Sequence, residues 1–164
     1  MNELTSSIAQ PQALKTVLSL VHTLRFVNKQ GLMHRDIKPA NVLVTPTGAR
    51  LFDFGLAKPV GELKTNNFGT KCYKSPEVVY RMPAYGPSVD VWCLGLLFAE
   101  LLLNKRHILQ YKDDQTMLGQ VAGLCGLDSQ TRNLIPDAIL KATVPSGKSW
   151  PQLANAKGLT GPVV

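Results

Sequence analysis

The sequence predicts a mainly α-helical domain that contains one short β-hairpin. Two long segments, residues 11–31 and 88–104, combine many apolar residues with ends that favour helices. Between them, two short apolar runs flank a turn that contains proline and glycine, which is typical of a hairpin. Because the chain has 164 residues and 45% of them are apolar, it is long enough to bury the core of such a domain.

The first predicted helix begins at Pro11 and ends near Gly31. Proline suits the first position of a helix, and glycine is favoured just beyond its end. Several apolar residues recur at the spacing of one helix face. They are Leu14, Val17, Leu18, Val21, Leu24, Phe26 and Val27. We expect this face to pack against the core.

The predicted hairpin pairs residues 42–44 with residues 50–52. It would hold Asn41 at the start of one strand and Asp53 at the end of the other, so that the two side chains lie close together. Amide and carboxylate oxygens are hard ligands of the kind that Mg²⁺ takes together with phosphate groups. The hairpin therefore predicts a place where two oxygen ligands meet.

The later part of the chain is less regular. Residues 53–77 contain three glycines and few large apolar side chains, which predicts a mobile loop. Ser88 precedes a strongly apolar run and is the predicted N-cap of a helix that extends to about Asn104. Further helices are predicted over residues 113–124 and 128–140.

The predicted domain covers residues 1–144, and residues 145–164 form a loosely ordered tail that contains several glycines and prolines.

Composition excludes several classes of function. The net charge is +7, but the basic residues are scattered, so a surface suited to acidic substrates or nucleotides is favoured over a nucleic-acid interface. Three cysteines without a CxxC pair indicate a reducing compartment and argue against zinc. The apolar run at residues 91–103 is too short for a bilayer and carries Glu100. We therefore expect a cytoplasmic or nuclear protein that binds neither nucleic acid nor membrane.

Residues 34–41, His-Arg-Asp-Ile-Lys-Pro-Ala-Asn, concentrate the chemistry of the chain. Phosphoryl transfer depends on positioning and charge neutralisation. The carboxylate of Asp36 suits a base that accepts a hydroxyl proton, and the cation of Lys38 suits a phosphoryl group. Asn41 and Asp53 supply oxygen ligands for Mg²⁺. The rival interpretation is a solvated loop with a salt bridge. It would require that the spacing of these four functional groups arose by chance.

The order of four motifs resembles that of eukaryotic protein kinases. They are HRDIKPAN at residues 34–41, DFG at residues 53–55, SPE at residues 75–77 and DVWCLG at residues 90–95. The resemblance covers about residues 11–103, and details such as DFGLAK are most similar to the cyclin-dependent kinase branch. It implies the carboxyl-terminal lobe of a serine/threonine kinase, the mainly helical part of the α+β protein-kinase fold.

The resemblance also implies roles for individual residues. Asp36 would be the catalytic base and Lys38 the phosphoryl stabiliser, with ATP as the phosphate donor and a protein Ser/Thr hydroxyl as the acceptor. Lys38, Asn41 and Asp53 would bind the nucleotide and its Mg²⁺. Asp90 would brace the catalytic loop, an arrangement compatible with a second interpretation in which its charge favours the N-terminus of a helix.

Three further residues are predicted to be regulatory. Thr65 lies twelve residues before Glu77, where cyclin-dependent kinases carry an activating phosphothreonine. A phosphate there would pair with Arg35 and order the loop, although an ordinary exposed threonine fits the pattern equally well. Thr70 would contact the carboxylate of Asp36. The same branch implies a cyclin-like activating subunit as a partner.

Residues around Thr70 depart from the cyclin-dependent kinase pattern. Gly69 replaces a residue that helps to select proline after the target hydroxyl, so proline-directed specificity is not expected. Lys71 and Lys74 either dock an acidic or phosphate group or are simply solvated charges.

The sequence contains no GxGxxG loop, no VAIK-type lysine and no candidate for the glutamate that pairs with that lysine. Since these elements cover the phosphates of the nucleotide in the family, we expect a truncated kinase with little transfer activity by itself. Three explanations remain open: a fragment of an active kinase, a lobe completed by another polypeptide, or a catalytically inactive module that binds other proteins.

Overall fold

The computed structural model describes residues 10–62, 67–79 and 84–125. Its elements are α1 (Gln10–Lys29), β1 (Leu32–Met33), β2 (Val42–Thr45), β3 (Gly48–Leu51), β4 (Lys58–Pro59), α2 (Pro76–Val79), α3 (Ser88–Leu103) and α4 (Asp114–Cys125). Single 3₁₀ turns at Pro39–Asn41 and Lys71–Tyr73 precede β2 and α2. The predicted mainly helical class with a hairpin is therefore confirmed.

The chain divides into two compact units, residues 1–108 and residues 109–164. In the second unit, Asp113 Oδ1 accepts the Thr116 N–H at 2.6 Å, which satisfies a backbone donor in the first turn of α4. Met117 is fully buried. This helix agrees with the one predicted over residues 113–124. The helix predicted over residues 128–140 and the tail predicted over residues 145–164 lie outside the described residues.

Helix α1 packs against β3 and α3 in the first unit. Its buried apolar residues are Ala13, Leu20, Leu24 and Val27. The predicted face was wrong in part, because Leu14, Leu18, Val21 and Phe26 are exposed. The helix carries apolar residues on two sides. Ala13 and Thr16 are fully buried, so their side of the helix is the one that packs against β3 and α3.

The end of α1 has the glycine that the sequence predicts. Gly31 has φ +72°, which residues with a Cβ rarely adopt, and its N–H donates to Asn28 O at 2.9 Å. Two residues form β1, which pairs antiparallel with β4, and the Val60 N–H donates to Gly31 O at 2.7 Å. The interpretation of residues 53–77 as a loop was therefore incomplete, since this segment contains β4 and the first residues of α2.

The hairpin is tighter than predicted. Thr45 lies opposite Gly48, so the connection is the two residues Pro46 and Thr47 and not the five residues expected. Beyond the paired strands, the Phe52 N–H donates to Asn41 O at 3.1 Å. This bond holds the residue before Asp53 against Asn41.

Helix α3 is the most deeply buried element of the first unit. Its buried residues include two carboxylates, Asp90 and Glu100. The prediction that Ser88 is the N-cap was wrong: Pro87 occupies that position, Ser88 is the first helical residue, and its hydroxyl donates to Glu77 Oε1 at 3.1 Å. The helix ends as expected at Asn104, whose φ of +46° is left-handed. None of the helices in the described ranges has the length and apolar character needed to span a bilayer.

Two glycines give a matched test of how closely α1 approaches the hairpin. A Cβ at Gly48 would collide with Ser19 Oγ and lie 3.2 Å from Ser19 Cβ, whereas a Cβ at Gly95 in α3 would meet nothing within 4 Å. We expect Gly48→Ala to lower the free energy of unfolding by about 1–3 kcal/mol, because the Cβ would crowd Ser19 and because residues with a Cβ rarely adopt the φ of +155° found at Gly48. Gly95→Ala should raise it by about 0.5–1 kcal/mol, because alanine favours the helix. Urea unfolding measures both, and equal effects would contradict the close packing at Gly48.

Candidate active site

The loop that contains Asp36 is held by a buried carboxylate from α3. The oxygens of Asp90, which is fully buried, accept the His34 N–H and the Arg35 N–H, both at 2.7 Å. Burial raises the pKa of Asp90, while the two N–H donors act in the opposite direction. Arg35 has φ +70°, a left-handed conformation that costs a residue with a Cβ about 1–2 kcal/mol. The two short bonds on either side of this strained residue fix the path of the loop.

His34 connects the loop to the segment after β3. Its Nδ1 accepts the Asp36 N–H at 3.3 Å, so the proton of the neutral ring lies on Nε2, which donates to Phe52 O at 3.1 Å. The ring also meets Phe54 edge-on, with centroids 4.7 Å apart. His34 is completely buried. These contacts give His34 a structural position within the loop.

Three side chains meet at the carboxylate of Asp36. Oδ1 accepts the N–H and the hydroxyl of Thr70 at 3.1 and 2.9 Å. Oδ2 lies 2.7 Å from Lys38 Nζ and accepts Asn41 Nδ2 at 3.0 Å. Lys38 Nζ also donates to Thr70 Oγ1 at 3.0 Å. The structure thus brings together Asp36, Lys38, Asn41 and Thr70, and the contact predicted for Thr70 is present.

These contacts determine the charge state of Asp36. Burial raises its pKa, but the hydrogen bonds from Lys38 and Thr70 and the nearby ammonium charge outweigh that effect and lower the pKa below the ordinary 3.8. The carboxylate is therefore ionised at neutral pH and able to accept a hydrogen bond from a hydroxyl group.

Asn41 and Asp53 provide the oxygens that suit a metal bound with phosphate. Asn41 Nδ2 donates to Asp36 O at 2.8 Å as well as to the carboxylate, so these two bonds use the nitrogen of the amide and not its Oδ1. Asp53 is exposed, has φ +60° and accepts the Gly55 N–H at 3.2 Å. The Phe52 N–H is hydrogen-bonded to Asn41 O, so the backbone of the residue directly before Asp53 is held next to Asn41.

Across the described ranges, no group of three or more His, Cys, Asp or Glu residues suits a metal ion on its own. Mg²⁺ commonly takes only one or two protein oxygens, with phosphates and water completing its shell. The pair of Asn41 and Asp53 fits that requirement.

Arg35 lies in an aromatic environment that the sequence interpretation missed. Its guanidinium carbon is 3.9 Å from the centroid of the Phe68 ring, and Nη1 donates to Tyr85 OH at 3.1 Å. Such stacking of arginine on an aromatic face is favourable. No sequence signal indicates this cluster, because its members are separated by long stretches of chain. Thr65 lies outside the described residues, so its phosphorylation and pairing with Arg35 remain predictions.

A second buried carboxylate of α3 anchors the segment after Thr70. Glu100 Oε2 accepts the hydroxyl of Tyr73 at 2.8 Å, and Oε1 accepts the His107 N–H at 2.8 Å. Burial and the Glu100 charge raise the pKa of Tyr73 well above its ordinary value. The sequence patterns did not reveal this pair, although a glutamate within a strongly apolar helix indicates that a polar partner is present.

The comparisons with known proteins agree with this geometry. The family profile described as "Protein kinase domain" matches residues 2–143. This chain belongs to the protein kinase family. The resemblance that the motifs indicate is thereby confirmed, and relatives named as cyclin-dependent kinases support the proposed branch.

Three relatives show how much of a kinase the chain covers. "Serine/threonine-protein kinase ppk23" of Schizosaccharomyces pombe is 29% identical over 156 residues, 93% of this chain and 35% of the relative. "Cyclin-dependent kinase D-1" of Oryza sativa is 38% identical over 63% of this chain and 25% of its own length. "Cyclin-dependent kinase-like 4" of Mus musculus is 41% identical over 56% of this chain and 28% of its own length. The kinase chain thus spans about a quarter to a third of these relatives.

Asp90 and Asp53 allow the same substitution to be tested at a buried and an exposed carboxylate. We expect Asp90→Asn to lower the free energy of unfolding by about 2–3 kcal/mol. The single oxygen of the amide can replace only one of the two carboxylate oxygens that accept hydrogen bonds from the His34 and Arg35 N–H groups. Asp53→Asn should change the free energy of unfolding by about 0.5 kcal/mol or less, since that side chain is exposed. Urea denaturation followed by circular dichroism measures both. Similar losses for the two variants would show that Asp90 does not hold the loop.

The lowered pKa of Asp36 predicts a loss of stability in acid. A carboxylate whose pKa is lower in the folded state contributes stability above its unfolded pKa, and that contribution disappears as the pH falls through the folded pKa. The difference in unfolding free energy between the wild type and Asp36→Asn should therefore shrink as the pH falls below 3.8, the ordinary pKa of an aspartate. Urea titrations between about pH 6 and about pH 3 measure it. A difference that stays constant over this range would contradict the lowered pKa.

Proposed function

We propose that this chain is the carboxyl-terminal lobe of a serine/threonine protein kinase that transfers the γ-phosphoryl group of ATP to protein hydroxyls. The observation that carries the proposal is the network at Asp36, in which Lys38, Asn41 and Thr70 all bond to one ionised carboxylate. A solvated loop with one salt bridge would not require Asp90, buried beneath it, to hold its backbone.

In this proposal, Asp36 accepts the hydrogen bond of the substrate hydroxyl and orients its oxygen for attack. Its lowered pKa suits this task, because the transition state is loose and the hydroxyl proton leaves late. The carboxylate is now filled by its own partners, so a substrate hydroxyl would replace one of them. Lys38 is the natural one to move, since its ammonium can turn from Asp36 towards a phosphoryl oxygen.

Asn41 and Asp53 would hold the Mg²⁺ of the nucleotide, which supplies charge neutralisation for the phosphates when it is bound. Asn41 is prepared for this by its two bonds to Asp36, which fix the plane of its amide. We also propose Thr65 as the activating phosphosite, Arg35 as the residue that pairs with its phosphate, and a cyclin-like protein as an activating partner. The cyclin-like partner is supported by the relatives named as cyclin-dependent kinases, whereas the roles of Thr65 and Arg35 rest on the sequence resemblance.

A second candidate function is a protein-binding module without catalysis. The observation that favours it is a set of exposed apolar side chains close to the Asp53 segment in sequence, namely Leu43, Phe52, Phe54 and Leu56. Where exposed apolar side chains form one contiguous patch, they commonly mark a contact with another protein.

Phosphate transfer from Mg·ATP to a general Ser/Thr protein substrate distinguishes the two functions. The assay uses residues 1–164 alone and the same residues joined to the amino-terminal lobe of an active kinase. We expect weak transfer by the chain alone and clear transfer by the joined protein. Asp36→Asn should reduce the joined protein's rate by about 10²–10⁴-fold, the usual contribution of a catalytic base. Asp53→Asn should also remove transfer.

The matched control is Asp113→Asn, an exposed carboxylate of the second unit that should leave the rate unchanged. A joined protein that binds Mg·ATP but transfers no more phosphate than its Asp53→Asn variant would contradict the kinase function and favour the binding module.

A further inference from the structure

The outer face of α1 carries a row of exposed apolar side chains. Leu14, Leu18 and Val21 have 51%, 50% and 43% of their surface exposed. They follow one another at intervals of four and three residues, the spacing of the d and a positions of a coiled coil, so they lie in one line along the helix. A line of this width is the seam by which one helix packs against another. These three residues are called the α1 seam below.

A row of basic residues runs beside the α1 seam. Lys15, His22 and Lys29 are exposed and recur every seven residues, so all three occupy the e position of the same heptad pattern. Arg25, at the a position that follows Val21, is also exposed. In coiled coils, residues at the e and g positions form the interhelical salt bridges that determine the choice of partner. The edge of the α1 seam therefore has the chemistry to recognise an anionic partner.

The charge of this row is not balanced within its own helix. The segment Gln10–Lys29 contains neither Asp nor Glu. The two ion pairs found among the described residues, Lys38–Asp36 and Lys58–Glu62, do not involve α1. A helix face that is simply solvated mixes charges of both signs, often in pairs four residues apart. Charge of one sign beside an exposed apolar row instead favours a partner of the opposite sign.

The rest of the fold holds this face in place. The opposite side of α1 packs against β3 and α3, and Gln12 Nε2 donates to Thr45 O of the hairpin at 3.1 Å. Leu24, at a g position on the other edge of the α1 seam, is buried, so the basic edge is the one that stays open to a partner. Because α1 is already folded and anchored, binding on this face requires little ordering of the chain.

These features distinguish between possible partners. A second copy of α1 would bring a row of the same charge against the first, which is unfavourable. A helix that lies in a membrane surface has a broad apolar face and carries its cations on the opposite, polar face. The α1 seam is one row wide and has its basic residues directly beside it, which matches a helix with its own apolar row and acidic residues along that row.

We propose that the outer face of α1 is a docking site for an α-helix of another protein, one whose apolar heptad row is flanked by aspartate or glutamate. The face from Leu14 to Lys29 is about 22 Å long at the rise of an α-helix, so a partner helix of about four turns covers it. This inference goes beyond the proposed kinase function and does not depend on it.

The probes are three labelled helical peptides of about three heptads, with leucine at the a and d positions and Glu, Gln or Lys at the e and g positions. Fluorescence anisotropy measures their binding to residues 1–164, with each peptide kept below the concentration at which it associates with itself. We expect the Glu peptide to bind most tightly and the Lys peptide most weakly, with a difference of about 1.5- to 5-fold for each ion pair. This preference should fall as the ionic strength rises from about 0.01 M to about 1 M.

Charge reversals locate the site. Lys15→Glu and Lys29→Glu should each reduce the preference for the Glu peptide, and the double variant should bind the Lys peptide more tightly than the Glu peptide. Leu18→Asn should weaken the binding of all three peptides, because it removes the middle of the α1 seam. Lys105→Glu makes the same change of charge at an exposed lysine outside α1 and should leave the order of the peptides unchanged. Circular dichroism verifies folding, and the single reversals decide the test if the double variant does not fold.

Equal binding of the Glu and Lys peptides, absence of binding, or a preference that survives both charge reversals would overturn the proposal. Vesicles of neutral or anionic phospholipid test the membrane alternative. Binding to the anionic vesicles that the double variant loses, in a protein that does not bind the Glu peptide, would assign the face to a membrane surface and refute the helix site. None of these measurements involves phosphate transfer, so their failure leaves the kinase function standing.

Discussion

The loop of residues 34–41 depends on the hydrogen bonds that the buried carboxylate of Asp90 accepts. This carboxylate accepts the two consecutive N–H groups of His34 and Arg35, and so holds a backbone that turns through a left-handed residue. That path presents Asp36 to Thr70, and it directs the ring of His34 to Phe52 O. Without the carboxylate, two backbone donors would be buried without an acceptor, a loss comparable to a large part of the stability of a small domain.

Helix α3 fixes both walls of the site through two buried acidic residues. Asp90, in its first turn, holds the loop of Asp36, and Glu100, three turns later, holds Tyr73 in the opposite segment. The ends of the helix therefore help to set the distance between the loop of Asp36 and the segment that contains Tyr73. Burying a carboxylate is costly unless it is fully hydrogen-bonded, and both of these accept two short bonds.

Sequence patterns predicted those features that depend on neighbours in the chain. The ends of α1 and α3 follow from Gly31 and Asn104. The contacts of Lys38 and Asn41 with Asp36 follow from their closeness in the sequence. The pairing of β1 with β4 was missed because two-residue strands leave no periodic signal. The stacking of Arg35 on Phe68 and the bond from Tyr73 to Glu100 were missed because each joins distant residues. The packed side of α1 was misjudged since periodicity does not distinguish two apolar sides of one helix.

The separation of Asp90 from the loop it holds has a consequence for the order of folding. The two hydrogen bonds of Asp90 join residues that are separated by 56 and 55 positions in the sequence. The hydrogen bonds within α1 and between the strands of the hairpin join residues that are much closer in the sequence. Local contacts form faster than distant ones, because they close shorter loops. A nascent chain that ends before Asp90 contains the entire HRDIKPAN segment, but it lacks the carboxylate that accepts the His34 and Arg35 N–H groups. Asp36, Lys38 and Asn41 would therefore reach the geometry described above only as a late event, after translation has passed α3.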